Sequence, residues 1–446
     1  MKIERELNRK IIETVLKRGA DQAKVYMISG RSLSIEVKKQ TIDALESSQD
    51  FGYSLRVLRD GRIGFSFSTK KDEWIDVIEN AMEASSFTDP DPLYDLAGPS
   101  EIHEIELFDG SVSDITEEVA VEHVRSIEKS ALERDLRIKK IRKALGSFSE
   151  MHLSLSNSKG LHHSYRSTSV GGQITVVAED GNDAQMGWGY ESSRFLNDVD
   201  FRRIGIEAAE RALRLLGAEK ADTIRGNVLL ESPVAAEFLG ILASSFSSEN
   251  VQKGKSLFAG KRGTRVLSGK VNVIDNAILD RRVGSRPFDA EGTPSQKNNL
   301  IFEGILKGYL YNIYTARREN TVSTGNAVRG GIEGLPSVGI SNLYIESASP
   351  DDVYDFNDLA GMIDKGLIVT EAMGIHTANP VTGDFSVGVT GLWVENGTIR
   401  HPVKESAISG NILDLFGKIV GVSNKLRFYG KIGSPDILIE GVDISG

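Results

Sequence analysis

The sequence predicts an α+β protein: an N-terminal domain of helices packed on antiparallel meander sheets, then a mainly β C-terminal domain with a helix at about 233–247. Three observations predict it. Glycine supplies 45 of the 446 residues, about a tenth against a usual ~7% and with no collagen-like period, so the chain must make many tight turns. Helical stripes and short alternating runs follow one another in the order helix, meander, helix, and do so twice. Beyond Ser244 the helical period almost vanishes until Ile412, and short glycine-punctuated strands replace it.

Taken in order, Ile3, Leu7, Ile11 and Val15 at spacing four give an amphipathic helix over 3–18. Short β-prone runs follow at Lys24–Ile28, Ser32–Lys38, Gly52–Leu58 and Ile63–Phe67, and Asp60-Gly61 between the last two is the strongest hairpin signal in the chain. Trp74, Val77, Ile78 and Met82 mark a second helix. Pro90, Pro92 and Pro99 then forbid regular structure over Thr88–Ser100. A helix from Asp114 to about Glu133 carries Ile115, Val119, Val124, Ile127 and Ala131 on one face. Met151–Leu155 and Gly172–Val177 alternate as strands, with turns at Asn157–Gly160 and Asp180–Asn182. A helix from about Asp198 to Leu216 ends at Gly217, read as a left-handed cap.

Helix, meander, helix occurring twice suggests two similar halves, 1–87 and 112–217, joined by a Pro-rich connector over 88–111, although the residues do not match as a sequence repeat. Together they make an N-terminal α+β domain, 1–222. The remainder, 223–446, is the second domain. Ser232 and Pro233 open its helix as N-cap and first-turn residues, and Ala235, Phe238, Leu239, Leu242 and Phe246 give the apolar face. Strands are expected at Val271–Ile274, Asn299–Phe302, Ile305–Tyr311, Leu367–Thr370, Gly388–Val394, Thr398–His401 and Asp436–Glu440, with turns at Glu303-Gly304 and Asn396-Gly397.

Composition narrows the function. With 53 Lys+Arg against 63 Asp+Glu, 40% hydrophobic residues and no basic run, the chain fits neither disorder nor a membrane span, and it lacks the phosphate-neutralising surface of a nucleic-acid binder. Having no cysteine excludes disulfides, thiolate metal ligands and a cysteine nucleophile, and fits a reducing compartment. The charged N-terminus offers no signal-peptide core, so a cytoplasmic location is expected.

Common catalytic motifs fail on inspection. Gly254-Lys255-Ser256 has no glycine five positions upstream, and Arg262 follows Gly260-Lys261 where a Ser or Thr should hold magnesium, so no P-loop is present. In the run after Gly187-Trp188-Gly189, Ser192 occupies the third glycine position of the dinucleotide pattern. Gly383–Gly388 is one residue too long for a nucleophile elbow. The histidines are His103, His123, His152, His162, His163, His376 and His401, and no pair has metal-ligand helical spacing. His376 differs from the others in its setting, a non-periodic polar loop over Met373–Pro380 between two strands, where binding groups often sit.

Four stretches in the second domain carry a family resemblance: Arg286–Pro294 running into Asn299–Tyr309, with Glu303-Gly304-Ile305-Leu306-Lys307-Gly308; Thr370–Trp393 with Thr382-Gly383-Asp384-Phe385-Ser386; Val394–Gly397 to His401-Pro402-Val403; and Ile408-Ser409-Gly410-Asn411. In order and spacing the chain resembles the TldD/PmbA (TldE) family, paired proteins that act together as a cytoplasmic peptidase. TldD-type members carry a His-Glu-x-x-x-His helix and a cysteine near the C-terminus as a metal site. By the resemblance those positions fall here on Leu239, Gly240, Ser244 and Tyr429. Leucine and serine do not replace imidazole at zinc, and glycine cannot act as a general base.

The resemblance therefore implies a PmbA/TldE-type subunit that has no catalytic residue of its own and binds no cofactor. Zinc or a similar metal is expected in a TldD-type partner, in a heterodimer or larger assembly, with a homodimer as the form of the chain alone. The implied substrate is an unfolded or extended peptide, which strand edges can hold through main-chain hydrogen bonds. His376, Asn379, Gly383, Asp384 and Ser386 are the candidate peptide contacts, although Thr-Gly-Asp is also turn chemistry by itself. Two alternatives stay open: a stand-alone peptidase or small-ester hydrolase with an unrecognised site, and a homodimeric binding or regulatory protein. The family's older association with DNA gyrase, taken as direct DNA contact, is disfavoured by the acidic balance.

Overall fold

A computed structural model describes residues 2–446, with side chains from Arg5 onward. Helix α1 (Lys2–Lys17) buries Ile11 and Val15 fully, with Leu7 packed beside them; the side chain of Ile3 lies outside the described ones. The two runs expected at Lys24–Ile28 and Ser32–Lys38 form one strand, β1 (Gln22–Lys38). Pairing continues through Gly30, which sits opposite Asp50 on one side and Met151 on the other. A Cβ at Gly30 would lie 2.5 Å from the Glu150 carbonyl, so this glycine permits close approach of two strands and makes no turn.

Strands β2 (Thr41–Arg59) and β3 (Arg62–Ser68) meet at Asp60-Gly61, both with positive φ, 51° and 71°, as a two-residue hairpin turn requires. Helix α2 (Trp74–Ser85) covers them with Val77, Ile78 and Ala81. The connector stays irregular up to a single turn, α3 (Gly110–Ser113). Helix α4 (Glu117–Arg134) starts three residues later than Asp114 suggested, because Thr116 caps it by accepting the Val119 N–H. That corrects the expected face: Ile115 precedes the helix and Val119 is 48% exposed, while Ala120, Val121, Val124, Ile127 and Ala131 are buried.

The second meander is β4 (Ile138–Asn157), β5 (His162–Asp180) and β6 (Asp183–Ser193), followed by α5 (Phe201–Leu213). Helix α5 is shorter at both ends than 198–216, since Asp200 caps its start and Leu196–Asp198 is a 3-10 turn. Gly217 is left-handed, φ 77°, but lies beyond the last helical turn, where its N–H donates to Asp183. All six strands form one antiparallel sheet in the order β3-β2-β1-β4-β5-β6, so the β1–β4 pairing unites the two helix-meander-helix units. Ala23, Val25 and Met27, and further along Leu33, Ile35 and Val37, face the helices, and Tyr26 faces the opposite side, against the C-terminal half.

From residue 224 the chain forms β7 (Ile224–Leu230), α6 (Ser232–Ala243), a 3-10 turn at Ser244–Phe246 and α7 (Ser248–Gln252), so the expected single helix at 233–247 is interrupted. Next come β8 (Val271–Asn276), β9 (Lys297–Phe302) and β10 (Ile305–Leu306). The strand expected to reach Tyr311 stops at Leu306, because Tyr309 turns inward and donates its hydroxyl to the Phe258 carbonyl at 2.7 Å. Then α8 (Ile313–Arg318), β11 (Ala327–Val328), β12 (Ser337–Val338), β13 (Leu343–Ser347), β14 (Val353–Tyr354) and α9 (Phe356–Gly361) follow. Both helices are six residues long, too short for a 3.6-residue period to register in sequence.

The chain closes with β15 (Lys365–Met373), β16 (Asp384–Glu395), β17 (Thr398–Asn411), α10 (Ile412–Gly417), β18 (Ile419–Ser423), β19 (Arg427–Tyr429), β20 (Ile432–Ser434) and β21 (Ile437–Ser445). One sheet runs β10-β9-β8-β13-β20-β19. The other runs β14-β18-β21-β17-β16-β15-β7, and a β21–β7 pairing closes its last five strands into a barrel. Helix α6 lies in the core shared by the two sheets, where Phe238, Leu239 and Leu242 are fully buried.

The segment Arg286–Pro294 locks the two halves of the molecule together. Phe288 packs on His163 and Tyr165, with ring centroids 5.1 and 5.3 Å apart. Lys24 donates to the Ala290 carbonyl at 3.0 Å, and Arg56 pairs with Glu291 at 3.3 Å, both nearly buried. Asp289 shapes the loop by accepting the N–H groups of Glu291, Thr293 and Ala327.

Candidate functional site

The seam between α5 and β6 on one side and α6, β15 and β19 on the other gathers a mixed set of charged and aromatic groups near the helix singled out by the sequence. Arg427 on β19 forms a two-pronged pair with Glu207 on α5, at 2.6 and 2.7 Å. Arg211, one turn further along α5, donates to Glu207 at 2.6 Å and to the Trp188 carbonyl at 3.2 Å, and its guanidinium lies 3.9 Å over the Trp188 ring. Trp188 meets Tyr429 edge-on at 6.2 Å. Burial alone would raise the Glu207 carboxyl, but hydrogen bonds from Arg427 and the charges of Arg211 and Arg427 outweigh it and hold the group below its ordinary value.

Helix α6 presents a single charge to this seam. Its sequence, SPVAAEFLGILA, is apolar apart from Glu237 and the opening serine. Desolvation, reinforced by the like charge of Glu371 on β15, pushes the Glu237 carboxyl up to about 7, even though the residue as a whole is exposed. Burial also raises Glu371, against the lowering effect of Arg211. Two carboxylates that cannot both ionise cheaply therefore stand beside a cation and an aromatic pair, an arrangement suited to binding polar groups and exchanging a proton near neutrality. No sequence motif marks these residues, because they come from five elements. The available signal was the lone charge in an apolar helix.

The four positions that the resemblance assigned to a lost metal motif hold a leucine, a glycine, a serine and a tyrosine. Leu239 is fully buried in the core. A Cβ at Gly240 would face only the Ile432 side chain, at 3.2 Å. The Ser244 hydroxyl donates back to the Ile241 carbonyl at 3.4 Å. The Tyr429 hydroxyl lies 3.0 Å from the Ser232 hydroxyl, at the first residue of α6, while Leu239 is seven residues further on, about 10 Å along the helix axis. A buried leucine, a glycine and two hydroxyls already engaged in hydrogen bonds do not fit a zinc ligand set. Among the described residues no group of three or more His, Cys, Asp or Glu side chains is placed to hold a metal ion.

The five candidate peptide contacts lie in and after the loop between β15 and β16. His376 is exposed in a 3-10 turn, Ile375–Thr377. Asn379 is occupied by turn-making, since its side-chain oxygen accepts the N–H groups of Val381 and Thr382 at 2.9 and 3.1 Å. Gly383 has φ 85°, and Asp384 accepts from Asn411 at 3.0 Å. Ser386 is exposed on β16. Phe385, between Asp384 and Ser386, packs edge-on against Phe238 of α6 at 5.1 Å and so anchors the loop to the helix. The structure thus leaves His376 and Ser386 open to solvent and commits Asn379, Gly383 and Asp384 to the loop itself. A cavity of about 840 Å³ lies elsewhere, between α4 and the start of α5, over Val119, His123 and Phe201.

Comparison with known proteins gives three family matches that follow one another along the chain: PmbA/TldA metallopeptidase domain 1 over residues 23–85, the central domain over 110–216 and the C-terminal domain over 223–446. An uncharacterized protein of Methanocaldococcus jannaschii is 29% identical over 440 residues, covering 96% of this chain and 99% of the relative. The protein named Metalloprotease PmbA in Escherichia coli O157:H7 is 27% identical over 459 residues, 99% of this chain and 97% of the relative. A Thermotoga maritima protein described as a candidate modulator of a DNA gyrase superposes with a TM-score of 0.91 at 27% identity, covering 99% of this chain and all of the other. TldE from Thermococcus kodakarensis shares the fold, with a TM-score of 0.90 at 22% identity over 99% of this chain and all of that one.

Proposed function

The chain belongs to the PmbA/TldA metallopeptidase family, and from that premise we propose that it is the metal-less subunit of a two-protein peptidase, binding extended peptides for cleavage by a metal-bearing TldD-type partner. The observation that carries the reading is the identity of the side chains on α6 and β19. Leu239, Gly240, Ser244 and Tyr429 supply no imidazole, carboxylate or thiolate where the family resemblance expects ligands and a general base. The seam beside α6, with Trp188, Tyr429, Glu237 and Arg211, is the surface on which a peptide would lie, and His376 and Ser386 are the open groups of the neighbouring loop. In this reading the complex is cytoplasmic; among the described residues no helix is long and apolar enough to cross a membrane.

A second reading, a hydrolase acting alone, draws on one observation, the Glu237 carboxyl poised near neutrality as a general base would be. One assay separates the two. An unstructured peptide is incubated with this chain, with a TldD-type protein, and with the mixture, with zinc supplied and then chelated. Cleavage confined to the mixture, together with co-purification of the two proteins, is the expected result. Cleavage by this chain alone, abolished by Glu237→Gln, would replace the first reading by the second.

A further inference from the structure

Strand β2 is paired by β1 from Thr41 to Leu58 on one side, but β3 covers only Tyr53–Arg59 on the other. Among the described residues no strand pairs with the outer edge from Thr41 to Gly52. A bulge at Asp43 lies near the hairpin tip, and from Ala44 to Asp50 the register with β1 is unbroken. That leaves about 24 Å of edge whose outward N–H and C=O groups have no ladder partner. It contains no proline and no lysine, the residues that commonly close such an edge. The hairpin is fixed at its tip, where Gln40 donates its side-chain amide to the buried Glu128 carboxylate at 2.8 Å and to the Arg125 carbonyl at 3.2 Å. Further along, the hydroxyls of Ser32 and Ser48 join the two strands at 2.9 Å.

The second helix-meander-helix unit holds the matching edge in covered form. There β6 pairs only Val170–Asp180 and leaves the start of β5 without an outer strand. The connector takes that place. The Thr168 N–H donates to the Leu107 carbonyl at 2.9 Å, the Asp109 N–H donates to the Thr168 hydroxyl at 2.9 Å, and the Phe108 ring lies under the Arg166 guanidinium at 3.8 Å. Thr168 is 1% exposed, whereas on β2 every residue from Thr41 to Asp50 except Ala44 is exposed.

The side chains along the free edge specify what would fit it. Ile42 and Leu45 stand opposite Val37 and Ile35, on the helix side of the sheet, yet are 46% and 36% exposed. Glu46 and Asp50 stand opposite Ser34 and Gly30, on the other side. With Asp43 in the bulge, three acids and no Lys or Arg lie between Thr41 and Asp50. A strand laid here would set alternate residues beside an apolar row and an acidic row. A second copy of the same edge would bring acids onto acids, which disfavours self-pairing.

We propose that Ala44–Asp50 is a strand-addition site for an extended segment of a different polypeptide, one that alternates apolar and basic residues. Main-chain ladder bonds supply the affinity and the two rows supply the selection, while the chain's net charge of −10 draws a basic segment in. The site lies across the sheet from β6 and the seam, and it stands whether or not the peptidase reading holds.

The test uses the full chain and short, capped, labelled peptides, read by fluorescence anisotropy and by hydrogen exchange of the chain. A Val-Lys repeat is the probe. A Val-Glu repeat reverses its charge, and a Pro-Lys repeat keeps the charge but cannot form a ladder. The Val-Lys peptide is expected to bind about tenfold or more tightly than either control and to slow amide exchange over Ala44–Asp50 about tenfold. The triple variant Asp43→Lys, Glu46→Lys, Asp50→Lys should reverse the choice in favour of the Val-Glu peptide, a gain that an unfolded chain would not show. Failure of the Val-Lys peptide to bind, equal binding of the Pro-Lys peptide, or binding without slowed exchange at Ala44–Asp50 would each overturn the site. Edge amides already protected in the free chain, in a dimer seen by sedimentation, would make a second copy the occupant and overturn the assignment to a different polypeptide.

Discussion

Arg427 and Glu207 face each other across the seam with both nitrogens of the guanidinium head on both carboxylate oxygens, at 2.6 and 2.7 Å. The pair connects β19, the edge strand of the β10-β9-β8-β13-β20-β19 sheet, to helix α5 and so fixes the width of the proposed peptide surface. Glu207→Gln removes the charge and one prong while keeping the volume. Because Arg427 retains 34% side-chain exposure, the loss falls between an exposed and a buried pair, about 1–3 kcal/mol. Glu207 is held below its ordinary value, so its contribution is present above about pH 4.3 and fades as pH falls through the lower folded value. Urea midpoints of wild type and variant should therefore differ at pH 7 and draw together as the pH is lowered into the acid range.

The crossing of α4 and α5 depends on Gly205. A Cβ there would lie 2.0 Å from the Ile127 carbonyl and 2.3 Å from the Ser130 hydroxyl, and the carbonyl, being backbone, cannot swing aside. Gly205→Ala must push the helices apart, although alanine has the better helix propensity. A loss of about 3 kcal/mol is expected, read as a lower thermal midpoint. An unchanged or raised midpoint would show that the contact relaxes freely.

These two relationships also show how far the sequence could be read. The α+β class, the glycine-rich turns and the helix–meander–helix order are legible because each rests on local chemistry, as at Asp60-Gly61 and the buried Ile11–Val15 stripe. The continuity of β1 through Gly30 is not, since a glycine that permits strand approach looks like one that makes a turn. The β1–β2 hairpin is hidden for a different reason. Its turn, Lys39-Gln40, contains no glycine, yet both residues have positive φ, 53° and 60°. Glu128 of α4 makes this possible by accepting both N–H groups, at 2.8 and 2.5 Å, a partner about ninety positions away. The seam is hidden in the same way. Arg427, Glu207 and Trp188 are unremarkable one at a time and lie on three separate elements, and only Glu237, the lone charge of an apolar helix, stands out in sequence.

Lys24 tests the interlocking of the two halves. Only 2% exposed, with its amine on the Ala290 carbonyl, it is pushed from 10.5 to about 7 by burial and then by the charge of Arg56. Between those values the unfolded chain binds more protons than the folded one, so this group makes stability rise with pH from about 7 to 10. Below pH 7 the cost of a buried charge is fully present. Lys24→Met should lose that slope: relative to wild type the variant is most favourable near pH 6 and least favourable near pH 10. Parallel stability curves for the two proteins across this range would show that Lys24 does not titrate as described.

Glu237 gives the opposite sign. Its folded value is raised from 4.5 to about 7, by desolvation first and Glu371 second, so the folded chain holds an extra proton between those limits and the contribution to stability falls as pH climbs through them. Glu237→Gln should remove that fall, and wild type should be more stable relative to the variant at pH 5 than at pH 8. Glu371→Gln should bring Glu237 back toward its ordinary value, because it deletes the like charge but leaves the desolvation in place. Carbon-detected NMR titration of the glutamate carboxyls reads both effects directly. A Glu237 resonance titrating near 4.5 in the wild-type chain would mean that the carboxyl is well solvated, and the case for it as a proton-exchanging group in the seam would fall.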